Sequence, residues 1–264
     1  MPELPEVETV ARSIAPLVGR RIVAAEFRAC RVLRGADPDA TAASLQGRKI
    51  AAVKRYGKFI VLSLSGGGYL TIHLGMTGRL LRAGQRGKHT RAVLTLDRGV
   101  LLYDDPRMFG CLEFSEDFPA RVAKLGPEPL EVPFEDFAAA LERRHTRVKA
   151  LLLNQSFLRG IGNIYADEAL FRAGIHPLAM THRLGRRRAR RLFDAIVEVL
   201  TEAIAAGGSS VSDYVDADGR KGFFQFSHRV YQRTGESCLN CRRPIRRLLV
   251  AQRSSHYCPR CQRR

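Results

Sequence analysis

The chain of 264 residues lacks two features that would direct it into or across a membrane. No stretch approaches the roughly 18 to 20 consecutive apolar residues that span a bilayer, because the most apolar segment, FIVLSLSGGGYLTIHL, is strand-like and interrupted by glycines. The opening MPELPEVETV is acidic, whereas a secretory signal begins with basic residues followed by an apolar core. We therefore expect the first residues to be kept and the protein to be cytoplasmic.

Acidic residues are also absent from Cys238 to Arg264, a segment that contains eight arginines. Over the whole chain 44 Lys and Arg residues outnumber 26 Asp and Glu residues, which gives a formal charge of +18. Such an excess repels itself unless the normal partner is anionic, and nucleic acid is the leading candidate. A second basic run, RLGRRRARR from Arg183 to Arg191, is by itself typical of a solvated helix face.

Four of the six cysteines form two Cys-x-x-Cys pairs, CLNC and CPRC, at Cys238, Cys241, Cys258 and Cys261. Sixteen residues separate the pairs, and this spacing is typical of zinc sites. Four thiolates complete a tetrahedron at about 2.3 Å and leave no coordination position open, so we predict one structural zinc ion. Two disulfides are the alternative, but no export signal points to an oxidising compartment. Cys30 and Cys111 stand alone and are predicted to be small buried apolar residues.

The length predicts two domains, and 45% hydrophobic residues provide a core. Apolar residues at helical spacing from Val7 to Leu17 predict a helix after Pro5, and the glutamates around them suit its positive N-terminal end. Six β-like segments follow, at 21–29, 49–57, 59–66, 69–75, 92–99 and 101–114. Four helical patterns come later, at 134–144, 147–155, 163–175 and 187–207.

Three prolines separate these halves, and we place a linker over 127–134. The predicted domains are a β-rich 1–126, a helical 135–229 and a cysteine-containing 230–264. The polar, glycine-rich stretch 207–225 is expected to be a mobile loop. In FLRGIGNIYADE the glycines permit a tight bend, Asn163 can cap the next helix, and the exposed N–H groups of a helix start can hold a phosphate.

Several motifs together resemble the formamidopyrimidine-DNA glycosylase family, bacterial base-excision enzymes that remove oxidised purines. They are MPELPEVETV, RYGKFIVL, IHLGMTGRL, DDPRMFG, GIGNIYADEALFRAGIHP and CLNC…AQRSSHYCPRC. The resemblance runs from end to end. It implies an α+β multidomain fold with an N-terminal β-sandwich and helix, a helix-two-turn-helix domain and a zinc finger. It also implies a monomer that binds damaged double-stranded DNA in a cleft between its halves.

The resemblance assigns chemistry to four residues. Pro2, once Met1 is removed, would be a secondary amine that attacks an anomeric carbon and forms an iminium ion. A free α-amine has a pKa of about 8, so part of it is neutral near pH 7. Glu3 would donate a proton. Lys58 would be the cation for β-elimination, and Arg253 would hold a phosphate and assist δ-elimination. Without the other motifs, Pro2 and Glu3 would suit an ordinary first helical turn.

The resemblance also assigns contacts to DNA. Five residues match positions that hold the DNA and would position it rather than read its sequence: His89, Arg107, Arg144, Lys149 and Asn163. An everted nucleotide leaves a gap. Three residues match the side chains that fill this gap: Met76, Arg107 and Phe109.

Three positions depart from the family pattern. Lys221 stands where proline is common, Gln232 where glycine is usual and Asn154 where aspartate often occurs. Relatives that act on oxidised pyrimidines are the alternative substrate class, although their opening usually has glycine at the position of Leu4. A catalytically silent DNA-binding zinc protein is a further alternative, against which intact Pro2, Glu3 and Lys58 argue.

Overall fold

The computed structural model describes residues 1–28, 30–35, 37–211 and 214–264, and for Cys30 it describes the backbone alone. The chain forms two compact units. The first unit comprises Met1–Lys124 and Ala206–Gln225, and the second comprises Leu125–Ala205 and Phe226–Arg264. No helix among the described residues is long and apolar enough to cross a membrane.

The first unit opens with helix α1 (Leu4–Ile14), which begins where the proline and the apolar spacing predict. Its apolar face is buried and packs into the core of two antiparallel four-stranded sheets. One sheet contains β1 (Ile22–Phe27), β5 (Arg79–Leu81), β6 (Thr90–Leu96) and β7 (Val100–Asp104), in the order β1-β6-β7-β5. The other contains β2 (Ile50–Tyr56), β3 (Phe59–Leu64), β4 (Tyr69–His73) and β8 (Cys111–Ser115), in that order.

Three details of this sandwich differ from the sequence prediction. The segment 101–114 is not one strand, because β7 and β8 belong to different sheets and the loop 105–110 joins them. Strand β5 and helix α2 (Pro38–Leu45) were not predicted, although Asp37 caps α2 by accepting from two backbone N–H groups. A short helix, α3 (Ala120–Ala123), ends the first segment of the unit. Cys111 is buried as predicted, whereas the side chain of Cys30 lies outside the described residues.

The glycine-rich loop Ala206–Gln225 belongs to the first unit rather than to the helical domain that the sequence pattern predicted for it. Phe223 N–H donates to the carbonyl oxygen of Ala206 at 2.9 Å and closes the base of the loop. Arg82 N–H donates to the carbonyl oxygen of Ala217 at 3.1 Å, and Ala217 is buried. The loop is therefore closed at its base and bonded to the sandwich near its tip.

The second unit contains helices α4 (Phe134–Glu142), α5 (Val148–Leu152), α6 (Asn163–Arg172) and α7 (Gly185–Ala205). A hairpin of β9 (Arg246–Val250) and β10 (Arg253–Tyr257) follows. All four helices lie within the predicted patterns or within two residues of them. The expected cap of α6 was wrong, because Gly162 is the N-cap and Asn163 is the first helical residue.

Candidate functional site

Pro2 and Glu3 lie at the start of α1, and both are buried. Glu3 is the N-cap residue, and its backbone N–H donates to Glu6 Oε2 at 2.8 Å. The other carboxylate oxygen of Glu6 accepts from Ser209 N–H at 2.7 Å, and Tyr214 Oη donates to the Glu6 carbonyl oxygen at 3.2 Å. Glu6, which no sequence argument singled out, thus fixes the first residues against the loop Ala206–Gln225.

Lys58 is buried in the two-residue turn that joins β2 to β3. Gly57 takes a positive φ of 58° there, which a glycine adopts without strain. Arg55 connects this turn to α1, because its Nε donates to Glu8 Oε2 at 2.7 Å and its Nη1 donates to the Gly57 carbonyl oxygen at 3.4 Å. Burial acts to raise the pKa of Glu8, but hydrogen bonds and charge from Arg55 and Arg12 outweigh it and lower the pKa. Glu8 therefore stays ionised at neutral pH.

His73, at the end of β4, is a second residue that no sequence argument singled out. Burial first, and then the charges of Arg121, Lys58 and Arg34, lower its pKa to about 4. Its Nδ1 accepts from Gly75 N–H at 3.2 Å, so the neutral ring carries its proton on Nε2. The ring is therefore an uncharged donor in the electrostatic neighbourhood of Lys58.

Met76, Arg107 and Phe109 lie on two loops of the first unit that touch each other. Met76 is 45% exposed and Phe109 is 50% exposed, and the guanidinium of Arg107 stacks over the Phe109 ring with its Cζ 4.3 Å from the ring centroid. Large apolar side chains exposed beside a cation suit contact with bases. His89 is exposed in the neighbouring loop before β6.

Arg144 and Asn163 lie in the second unit. Arg144 is exposed just beyond the end of α4, where its carbonyl oxygen accepts from the Thr181 hydroxyl. Asn163 is partly buried, and its Oδ1 has no hydrogen-bond partner within the part of the chain that the structure describes. A buried acceptor oxygen without a partner can accept a hydrogen bond only from a donor group that reaches it.

Lys149 does not suit the predicted contact with DNA. Its side chain is 0% exposed and forms an ion pair with Asp167, with Nζ and Oδ1 2.6 Å apart. Nζ also donates to the carbonyl oxygen of Ser254 at 2.8 Å. An ammonium group that is buried and paired in this way cannot reach a phosphate without breaking both contacts. Its position indicates an internal cross-link between α5, α6 and β10.

The four cysteine sulfurs lie within 4.8 Å of one another. The sulfurs of Cys238 and Cys261 are 3.9 Å apart, and those of Cys241 and Cys258 are 3.4 Å apart. A tetrahedron with bonds of about 2.3 Å has sulfur edges of about 3.8 Å, so these residues fit a zinc ion. All four cysteines are free of disulfides, which removes the disulfide alternative.

Arg253 follows the tight turn of the β9–β10 hairpin and is exposed. The turn residues are Ala251 and Gln252, with φ of 47° and 60°. Two positive φ values in a two-residue loop define a type I′ geometry, which favours Asn-Gly and strains other residues. The arginine is thus presented from a short, strained hairpin.

The departures from the family pattern have structural counterparts. Gln232 has a φ of 60°, in the left-handed region that explains a preference for glycine. Asn154 Oδ1 accepts from Ser156 N–H at 2.9 Å and from Ser156 Oγ at 2.8 Å, so the amide provides the acceptor that an aspartate would provide. Lys221 is exposed in the loop Ala206–Gln225.

Comparison with known proteins first defines the class. Three domain profiles match in order: the formamidopyrimidine-DNA glycosylase N-terminal domain over residues 1–112, its H2TH domain over 125–215, and the zinc finger found in FPG and IleRS over 235–264. The fold and the site therefore define a zinc-finger DNA glycosylase of DNA repair, and the predicted sandwich, helix-two-turn-helix domain and zinc finger are confirmed.

The relatives then give the family. The formamidopyrimidine-DNA glycosylase of Solibacter usitatus is 73% identical over 264 residues, and the alignment covers 100% of both chains. The crystal structure of the MutM (FPG) protein from Thermus thermophilus matches with a TM-score of 0.90 at 43% identity, covering 99% of this chain and 98% of that one. Lactococcus lactis Fpg in complex with DNA containing an abasic site matches with a TM-score of 0.89 at 35% identity, covering 99% and 100%. The chain belongs to the formamidopyrimidine-DNA glycosylase family.

Proposed function

We propose that this chain is a bifunctional enzyme, a DNA glycosylase and abasic-site lyase that works through the amine of Pro2. The observation that carries the proposal is the burial of Pro2 and Glu3 together at the start of α1, where Glu6 fixes their backbone. The nitrogen of Pro2 is an inert amide while Met1 is attached, so the activity requires removal of Met1. A buried, oriented amine beside a carboxylic acid is a suitable arrangement for covalent catalysis.

The proposed reaction begins when the neutral amine attacks C1′ of the damaged nucleotide. The N–C1′ bond forms as the glycosidic bond breaks, and the base leaves with the bonding electron pair and takes up a proton. The amine loses its proton, the C1′–O4′ bond then opens as an iminium ion forms, and Glu3 donates a proton to O4′. General acids of this kind typically contribute a factor of about 10² to 10⁴.

Strand scission follows from the same iminium ion. Loss of a proton from C2′ expels the 3′ phosphate, loss of a proton from C4′ expels the 5′ phosphate, and hydrolysis releases the enzyme. Lys58 stabilises the charge of a leaving phosphate, and Arg253 binds phosphate from its hairpin turn. The four cysteines would hold a zinc ion, which would stabilise the fold of this tail and, with four thiolate ligands, would leave no coordination position open for the reaction.

The proposed substrates are oxidised purines, 8-oxoguanine and formamidopyrimidines, in double-stranded DNA. This rests on the family and on solved relatives such as a Lactococcus lactis FPG mutant in complex with Fapy-dG containing DNA, which is 34% identical to this chain. DNA is also the partner that a charge of +18 favours.

Borohydride trapping tests the proposal. We expect the Met1-free protein to form a covalent adduct with duplexes that contain 8-oxoguanine or an abasic site, and we expect protein with an acetylated N-terminus to form none. Glu3→Gln should suppress excision of 8-oxoguanine but still trap a pre-formed abasic site, while Glu131→Gln, at an exposed position, serves as the matched control. If no adduct forms with any of these substrates, the enzyme proposal fails and a catalytically silent DNA-binding protein is the remaining alternative. If adducts form only with oxidised pyrimidines, the substrate class is reassigned to oxidised pyrimidines.

A further inference from the structure

Asp105 is a buried carboxylate that joins the two loops carrying Met76, Arg107 and Phe109. Its side chain is 0% exposed. Oδ1 accepts from the Thr77 hydroxyl at 2.6 Å and from Arg107 N–H at 3.3 Å. Oδ2 accepts from Gly110 N–H at 2.8 Å and from Tyr103 Oη at 3.3 Å. One carboxylate thus bonds the residue after Met76 and both ends of the segment from Arg107 to Gly110.

Tyr103 remains a hydrogen-bond donor under physiological conditions. Its burial, followed by the charge of Asp105 and the hydrogen bond to it, raises the pKa of the phenol well above its usual range. The proton therefore stays on the tyrosine. The four donors to Asp105 are thus two hydroxyls and two backbone amides, each of which needs an acceptor when it is buried.

Close packing removes any freedom that the hydrogen bonds leave. A Cβ added to Gly75 would overlap the backbone nitrogen of Gly110. A Cβ added to Gly110 would overlap the Tyr103 hydroxyl, and one added to Gly78 would overlap the carbonyl oxygen of Leu74. The two loops touch through their backbones, so neither can shift without the other.

Asp105 and its neighbour Asp104 also anchor a third loop, which carries His89. Asp105 N–H donates to the carbonyl oxygen of His89 at 2.9 Å, and Arg91 Nε donates to the carbonyl oxygen of Asp105 at 2.9 Å. The Asp104 carboxylate accepts from the Thr90 hydroxyl at 2.6 Å. The three loops therefore meet at two adjacent aspartates, of which Asp105 is buried.

We propose that Asp105 is the positioning residue that holds Met76, Arg107 and Phe109 as one rigid wedge for the gap left by an everted nucleotide. The inference rests on the proposed function. Asp105 does not touch DNA itself. The two oxygens of a carboxylate can together accept four hydrogen bonds. An asparagine at this position would have the same size but only one acceptor oxygen. Its NH₂ group would face two of the four donors and could not accept from them.

The test uses a duplex with a tetrahydrofuran abasic analogue opposite 2-aminopurine, whose fluorescence reports unstacking at saturating protein. We expect Asp105→Asn and Thr77→Val to reduce the fluorescence change at least twofold. Thr77→Ser, which keeps the hydroxyl, should give the full fluorescence change. Phe109→Ala, which removes the aromatic ring of the wedge, shows how small the fluorescence change becomes when the wedge is incomplete. Thr95→Val, at an exposed strand position outside the site, is the matched control. No bond breaks in this experiment, so it decides the role of Asp105 even for a chain that proves catalytically silent.

A second readout separates positioning from folding. Excision of 8-oxoguanine from a duplex should fall at least fivefold in Asp105→Asn and Thr77→Val, whereas trapping on a single-stranded abasic oligonucleotide, which has no opposite base, should be unchanged. A full fluorescence change in both variants would overturn the inference. Equal losses on the duplex and the single strand would also overturn it, because they would show that the carboxylate only maintains the fold.

Discussion

Lys149 Nζ donates a hydrogen bond to the carbonyl oxygen of Ser254, 2.8 Å away, and Ser254 directly follows Arg253. The partner of this lysine, Asp167, accepts from His256 N–H at 2.9 Å through its other oxygen. One buried ion pair therefore holds one edge of β10, through the Ser254 carbonyl oxygen and the His256 N–H. The lysine acts on the exposed arginine by fixing the strand behind it.

Loss of Lys149 should destabilise the protein strongly. Lys149→Met leaves the Asp167 carboxylate buried without its cation, which typically costs about 3 to 5 kcal/mol. The double variant Lys149→Met/Asp167→Leu should recover much of that loss, because the orphaned charge is gone. Urea unfolding measures both, with Lys124→Met at an exposed position as control. A cost below about 1 kcal/mol for the single variant would contradict the cross-link.

Metal removal should loosen the hairpin and weaken DNA binding. Structural zinc sites contribute about 10 to 16 kcal/mol of binding free energy in small peptides, so chelation or Cys258→Ser should disorder the tail around Arg253. Metal analysis should give one zinc per chain, and amide exchange should speed up in β9 and β10. Cys111→Ser, at a buried position apart from the cluster, is the comparison variant. Clearly less than one zinc in freshly purified protein would count against the site.

Arg253 should contribute a phosphate contact that depends on salt. Each neutralised phosphate lowers log K by about 0.9 for each log unit of salt on duplex DNA. Arg253→Ala should therefore weaken DNA binding and make the plot of log K against log salt shallower by about 0.9, which corresponds to one phosphate. Fluorescence anisotropy at several salt concentrations measures both. Arg98→Ala, at an exposed strand turn, should change neither. An unchanged slope for Arg253→Ala would place the arginine away from DNA.

The strained hairpin turn predicts a stabilising substitution. Ala251 and Gln252 both adopt positive φ, which costs non-glycine residues about 1 to 2 kcal/mol each. Ala251→Asn/Gln252→Gly should raise the free energy of unfolding by about 1 to 2 kcal/mol. Gln46→Gly is the matched control, because Gln46 has a φ of −61°, and there glycine should destabilise. A neutral or negative effect of the turn variant would mean that the hairpin does not stay formed.

Two histidines with lowered pKa values predict a loss of stability in mild acid. Burial lowers the pKa of His228 to about 4, and burial followed by neighbouring cations lowers the pKa of His73 to about 4. Both values lie below the unfolded value, so stability is fully present above about pH 6.5 and declines as the pH falls toward 4. Each histidine should account for roughly 2 kcal/mol over that range.

Chemical unfolding at about pH 7.5 and about pH 5 checks this expectation. His73→Gln and His228→Gln should each reduce the difference between the two pH values, and His89→Gln, at an exposed position, is the control. A difference that both variants leave unchanged would show that other groups cause the acid sensitivity.

Local patterns predicted most elements of the fold. The apolar spacing from Val7 to Leu17 indicated helix α1, and the Cys-x-x-Cys pairs indicated the metal site, because in both cases the interacting residues are close in sequence or share an unusual side chain. Contacts between distant residues were not predictable in this way. Lys149 is a lysine in a basic protein, and only its burial against Asp167 shows that it faces inward. Asp105 likewise resembles a turn residue until Thr77 and Gly110 are seen around it.

The grouping of Ala206–Gln225 with the sandwich has a consequence for synthesis of the chain. Domains generally fold as they leave the ribosome, N-terminal part first. When residues 1–124 have emerged, Glu6 still lacks the N–H group of Ser209 and the hydroxyl contact of Tyr214. Residues 125–205 must be translated before those partners arrive. The start of α1, with Pro2 and Glu3, therefore reaches its final hydrogen bonding only after most of the chain has been translated, so the nascent protein completes this end late.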